Sequence, residues 1–131
     1  MIALDASVLI AHFNPSDTHH HEATHILLDS GPEAMMAHGI TLAEILVGAV
    51  RAGRHDAMLR DLQAMDVATA PTDEDEPVRL AHLRVGSGLK LPDCCVLDVG
   101  MRHAAVVATF DSALSAAVRR YGLSTQPPVS L

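Results

Sequence analysis

The chain has 131 residues, 49% hydrophobic and 19% charged, which suits one packed core and excludes a disordered chain. Its formal net charge of -7 excludes binding of a polyanion by general attraction; contact with nucleic acid needs cations or local basic surface, and seven of the nine Lys and Arg lie between Arg51 and Arg102. With no Trp, one Tyr and two Phe, the chain also lacks the stacking surfaces of RRM- or OB-type nucleic-acid binders.

In chain order, Ile2 to Leu4 is an apolar run that reads as a buried strand, ended by Asp5, with Ser7 two residues on and a helix over Ala6 to Phe13. Asn14-Pro15-Ser16-Asp17 is a loop signal. Asp17 or Thr18 can cap a helix to about Leu28, with Ala23, Ile26 and Leu27 as its apolar face, and Gly31-Pro32 ends it. Ala34 to Ala37 is a second strand. Thr41 opens a helix through Arg51, with Leu42, Ile45, Leu46 and Ala49 at helical spacing, and Thr41-Leu-Ala-Glu44 has the form of a capping box. Gly53 closes that helix, Arg54 to Ala64 forms another, and Met65 to Ala68 is a third strand. The acids Asp73 to Glu76 read as the solvated start of a helix running to about Val85, favoured by its dipole. Gly86-Ser87-Gly88 breaks it. Pro92 starts a helix over Asp93 to His103, Ala104 to Thr109 is the clearest strand, and Asp111 precedes a last helix to Arg120. Ser124 to Gln126 is a small edge strand.

Strands alternating with helices predict an α/β fold, a central parallel sheet of about four to five strands with helices on both faces, in one domain over residues 1–131. Such sheets carry their sites at the carboxyl ends of the strands, near a topological switch point. No apolar stretch approaches the ~20 residues of a membrane span, no basic-then-apolar leader opens the chain, and the adjacent Cys94 and Cys95 are poorly placed to bridge. A reduced, cytoplasmic chain without a membrane partner is expected.

Four acids fall at equivalent junctions: Asp5 and Asp111 after apolar strands, Glu44 and Asp93 in the first turns of helices. Each has a capping explanation by itself. Gathered on one edge, they would repel unless cations held them, and Mg²⁺ or Mn²⁺ suits oxygen ligands.

The segments Leu4-Asp5-Ala6-Ser7, Thr41-Leu-Ala-Glu44, Leu91-Pro92-Asp93 and Thr109-Phe110-Asp111, in that order over essentially the whole chain, resemble the PIN domain. They look most like the VapC-type ribonuclease toxins of bacterial toxin–antitoxin pairs. The resemblance implies a three-layer fold and a metal-dependent endoribonuclease. Asp5, Glu44, Asp93 and Asp111 match the acidic quartet, and Ser7 and Thr109 the supporting hydroxyls. One or two Mg²⁺ (or Mn²⁺) ions would activate water against an RNA phosphodiester, with no protein nucleophile. It also implies an RNA substrate, a cognate antitoxin whose tail covers the site, and a homodimer.

Some residues stand outside the pattern. Asp98 replaces a small apolar residue of the family and reads as a solvated i,i+4 pair with Arg102. Phe110, commonly polar or basic in relatives, reads as a packing residue, and Cys94 and Cys95 as small buried thiols. Arg51, Arg54, Arg79, Arg84 and Lys90 are candidate phosphate contacts. His21-Glu22-Ala-Thr-His25 matches the zinc-protease pattern H-E-x-x-H, though His19 and His20 mark that helix as exposed. The rival readings are a catalytically silent PIN-like binding module, a zinc peptidase through His21, Glu22 and His25, and a receiver-like phosphoacceptor. The last is poorly served by Lys90, the one lysine, in a loop before Pro92.

Overall fold

The computed structural model describes residues 1–128; positions 129–131 of the expected domain lie outside it. Strand β1 (Ile2–Leu4) is buried at every position. It lies between β2 (Met35–Ala37) and β4 (Val106–Ala108), with Ile2 opposite both Met35 and Val106. The edges are β3 (Val67–Thr69) beside β2 and β5 (Thr125–Gln126) beside β4. All four pairings are parallel, in the order β3-β2-β1-β4-β5. A central parallel strand is covered on both faces, which explains why Ile2, Ala3 and Leu4 are apolar without alternation.

The chain leaves β1 through α1 (Ala6–Phe13) and α2 (His20–Leu28) to β2, then passes α3 (Gly39–Arg51) and α4 (His55–Ala64) to β3. It returns across the sheet through α5 (Glu76–Ser87) and α6 (Leu91–His103) to β4 on the far side of β1, and α7 (Ser112–Arg120) leads to β5. The winding direction reverses at β1, so the carboxyl ends of β1 and β4 flank the switch point. The period of two sends Ile2, Leu4 and Ala108 into one core with Val8, Leu9, Ile26 and Ile45. It sends Ala3 and Val107 into a second core with Leu83, Leu97, Leu114 and Val118. This is the expected sheet with helices on both faces.

Local chemistry shifts several boundaries. Thr41 does not open α3. The helix begins at Gly39, because His38 at the end of β2 reaches its amides first, and His38 Nδ1 accepts from the Ile40 N–H at 3.0 Å. Thr41 is fully buried and its hydroxyl has no partner, so there is no capping box. Since His38 Nδ1 accepts, Nε2 carries the proton and donates to Glu76 Oε1. Glu76 is therefore buried and tied down rather than solvated. Helix α5 starts there instead of at Asp73, and Asp73 pairs with Arg79 and Arg102. At the far end of α6, Ala104 takes a left-handed φ of 48° as the C-cap, and the Ala105 N–H closes on the Gly100 carbonyl at 2.9 Å. Closure of the helix removes both residues from the expected strand.

Asp98 is not part of a solvated pair with Arg102. Every residue from Cys94 to Gly100 is buried, so α6 offers position 98 no wet face. A buried carboxylate needs a partner, and Arg79 of α5 supplies it through Nε at 2.9 Å and Nη2 at 3.2 Å. Arg102 instead donates to the Pro71 carbonyl at 2.9 Å and meets Asp73 at 3.2 Å. Two of the candidate phosphate contacts are thereby engaged internally: Arg79 as described, and Arg84 with the carbonyls of Gly88 and Leu89. Cys94 and Cys95 are free and buried as expected, and burial pushes the Cys95 thiol up to about 11.

Candidate active site

Asp5 marks the point where the chain leaves the sheet. Its N–H donates to the Ala108 carbonyl at 3.0 Å, extending the β1–β4 ladder by one rung. It occupies the N-cap position of α1, yet its side chain caps nothing. Instead Oδ2 accepts from Ser7 Oγ and from Thr109 Oγ1, each at 2.7 Å. A hydroxyl has one proton, so both donors are spent on one oxygen. Each hydroxyl accepts in turn: Ser7 Oγ from the Phe110 N–H at 3.0 Å, Thr109 Oγ1 from the Asp111 N–H at 3.0 Å. The 3.5 Å between the two hydroxyls is then a contact rather than a further bond. The network joins the ends of β1 and β4, fixes the Asp5 carboxylate and leaves Oδ1 without a protein partner among the described residues. It also leaves neither hydroxyl a free proton, so neither is a poised nucleophile.

The other three acids come from separate elements. Asp111 caps α7, its Oδ1 accepting from the Leu114 N–H at 2.9 Å, as its position after a strand suggests. Asp93 lies half-buried in the first turn of α6, and Glu44 on the outer side of α3. Burial raises the proton affinity of Asp93, and the charges of Asp5, Asp111 and Glu44 raise it further, with Lys90 opposing. Glu44 is raised by burial and then by Asp5. Asp93 thus feels all three of the other acids. Among the described residues, however, no three His, Cys, Asp or Glu side chains are drawn together tightly enough to hold an ion on protein ligands alone.

The H-E-x-x-H segment forms no such group either. His21, Glu22 and His25 are exposed on α2, and His25 Nδ1 meets Asp29 Oδ2 at 3.0 Å. One neighbour of the acids escaped sequence reasoning. His19 stacks on Phe110, with ring centroids 4.3 Å apart and planes 9° from parallel.

The family model for the PIN domain matches residues 2–119. The chain belongs to the PIN domain family. No curated protein sequence matches it. Solved structures share this PIN fold over nearly their full lengths. A toxin–antitoxin complex from Klebsiella pneumoniae is 23% identical, with a TM-score of 0.76 over 99% of this chain and 98% of that one. FitAcB from Neisseria gonorrhoeae is 20% identical, with a TM-score of 0.72 over the whole of both chains. FitAB bound to an IR36 DNA fragment is 19% identical, with a TM-score of 0.73 over 95% and 93%. At these identities the likeness is one of fold. No helix among the described residues of this PIN domain is long and apolar enough to cross a membrane.

Proposed function

We propose that the chain is a metal-dependent endoribonuclease, the toxin of a toxin–antitoxin pair. The observation that carries this reading is that Glu44, Asp93 and Asp111 gather around a locked Asp5 at the switch point, where burial and then the neighbouring charges raise the proton affinity of Asp93 and Glu44. The donor set is all oxygen, the chemistry of a hard divalent cation such as Mg²⁺ or Mn²⁺. Asp5, Glu44, Asp93 and Asp111 would hold it, with water completing the shell, as Mg²⁺ prefers. When bound, the ion polarises the scissile phosphate and lowers the pKa of a bound water.

The chain's own residues do the rest. Ser7 and Thr109 orient Asp5. Burial and the neighbouring acids raise the proton affinity of Asp93 and Glu44, and a cation held between the acids would offset that cost. The presence of all four acids speaks against a silent binding module. A protein partner is supported by exposed aliphatic side chains close to Glu44. Ile10 and Val47 stand 47% exposed, and Ile10, Phe13, Glu44, Ile45 and Met58 line one cleft. An antitoxin there, a homodimer and a cytoplasmic setting complete the reading.

The test is cleavage of single-stranded RNA by the purified chain. Fragments should appear with Mg²⁺, vanish with EDTA, and fall at least ~100-fold in Asp5→Asn and Asp93→Asn, beyond the loss typical of an outer-shell partner. His21→Ala should cleave as the parent does. Unchanged cleavage by both carboxylate variants would sink the proposal.

A further inference from the structure

Phe110 sits in the chain between Thr109 and Asp111, and its N–H is held by Ser7 Oγ, so the network that locks Asp5 also fixes where this ring begins. The ring stacks in parallel on His19, slightly closer than the ~4.5 Å at which favoured aromatic pairs begin. His19 precedes α2, caps nothing with its side chain and is exposed. The two rings line a cleft of about 290 Å³ whose other walls include Thr109, Asp111, Glu22 and Arg119. Arg119 is oriented by Ser115 Oγ at 3.0 Å and makes no ion pair among the described residues, although Glu22 and Asp111 line the same cleft.

We propose that the His19–Phe110 stack is a nucleobase platform, seating one base of single-stranded RNA beside the acids while Arg119 contacts a neighbouring phosphate. This rests on the ribonuclease reading and names how that site grips its substrate. Parallel rings offer a π-face to any base, and such stacking tolerates sequence. The Arg119 guanidinium matches phosphate geometry. Glu22 repels a phosphate and accepts from an exocyclic amine, so the base rather than the backbone belongs at the rings. The platform is built from a histidine and one of the two Phe, which is how a chain so poor in aromatics still carries one.

The experiment uses short single-stranded RNAs with 2-aminopurine at successive positions, bound to the full chain carrying Asp93→Asn so that binding is read without cleavage. Stacking should quench the fluorophore at one position near the cleavage site. His19→Ala in that background should abolish the quench and weaken binding about tenfold, within the range of one base–aromatic stack. His19→Phe should restore both. In the active chain, His19→Ala should raise KM about tenfold with little change in kcat, and an abasic site at the quenched position should do the same to the parent. Quenching that survives His19→Ala, or an abasic RNA bound as tightly as the intact one, would overturn the platform. Mg²⁺-dependent cleavage lost in Asp93→Asn but indifferent to His19→Ala leaves the ribonuclease reading standing and removes the platform. A His19-dependent quench on a chain that cleaves nothing does the reverse.

Discussion

Asp5 carries two hydroxyl donors on one oxygen, and the same hydroxyls anchor the amides of Phe110 and Asp111. Ser7→Ala should therefore act on orientation. RNA cleavage is expected to fall ~10–100-fold, the usual effect of an outer-shell partner, while the melting temperature changes little. Thr41 tests the correction at the start of α3. Its hydroxyl is buried without a partner, so Thr41→Val should stabilise the fold by about 1 kcal/mol, the lower range of the penalty for a buried orphan group. A working capping box would instead lose about that much, and urea denaturation separates the two signs. Asp93 bears on pH. Its folded pKa lies above the unfolded value. The cost of burying its charge, and of its repulsion by Asp5, Asp111 and Glu44, therefore destabilises the metal-free fold fully above the folded pKa, and fades as pH falls through that value toward the unfolded one. Asp93→Asn without metal should melt higher than the parent at pH 7, by about 3–6 °C if it removes ~1 kcal/mol. The difference should shrink toward pH 4. At this scale Asp5, Asp93 and Asp111 could be picked out in the chain because each follows a strand or opens a helix, whereas Glu44, expected in the first turn of its helix, lies in the second turn of α3 because the helix starts at Gly39. Asp98, Glu76 and His19 could not be picked out. Their roles depend on Arg79, His38 and Phe110, partners 19, 38 and 91 residues away, which no local pattern connects.

Helix α6 is the element that most constrains the fold, since it is buried from Cys94 to Gly100 between the sheet and α5. Gly100 permits the approach. A Cβ there would stand 2.7 Å from Val107 Cγ2 and 3.1 Å from Leu123 Cδ1, and the short Val107 side chain cannot swing away. Gly100→Ala should destabilise by about 1–3 kcal/mol through overpacking, although Ala is intrinsically the better helix former by about 1 kcal/mol; denaturant unfolding reads the balance. Helix and strand identities were legible from periodicity and from the Gly and Pro that bound them. The ends were not, because they are decided by long-range competitors. His38 caps α3 from the end of β2, and Ala104 closes α6 where the apolar run suggested strand.

At the scale of the molecule, the reversal of winding at β1 brings acids from residues 5, 44, 93 and 111 to one edge of a five-stranded parallel sheet. Alternating strands and helices made that edge readable in the chain. The absence of any three-ligand group among the described residues was not readable, since it depends on how far the acids stand off from one another. The central claim is that these four acids hold a divalent cation. Titration of Mn²⁺ into the purified chain, with free ion followed by electron paramagnetic resonance, tests it most directly. The parent should bind Mn²⁺, Mg²⁺ should displace it, and Asp5→Asn and Asp93→Asn should each lose the site while remaining folded. Mn²⁺ binding that is absent from the parent, or unchanged in both variants, would contradict the claim.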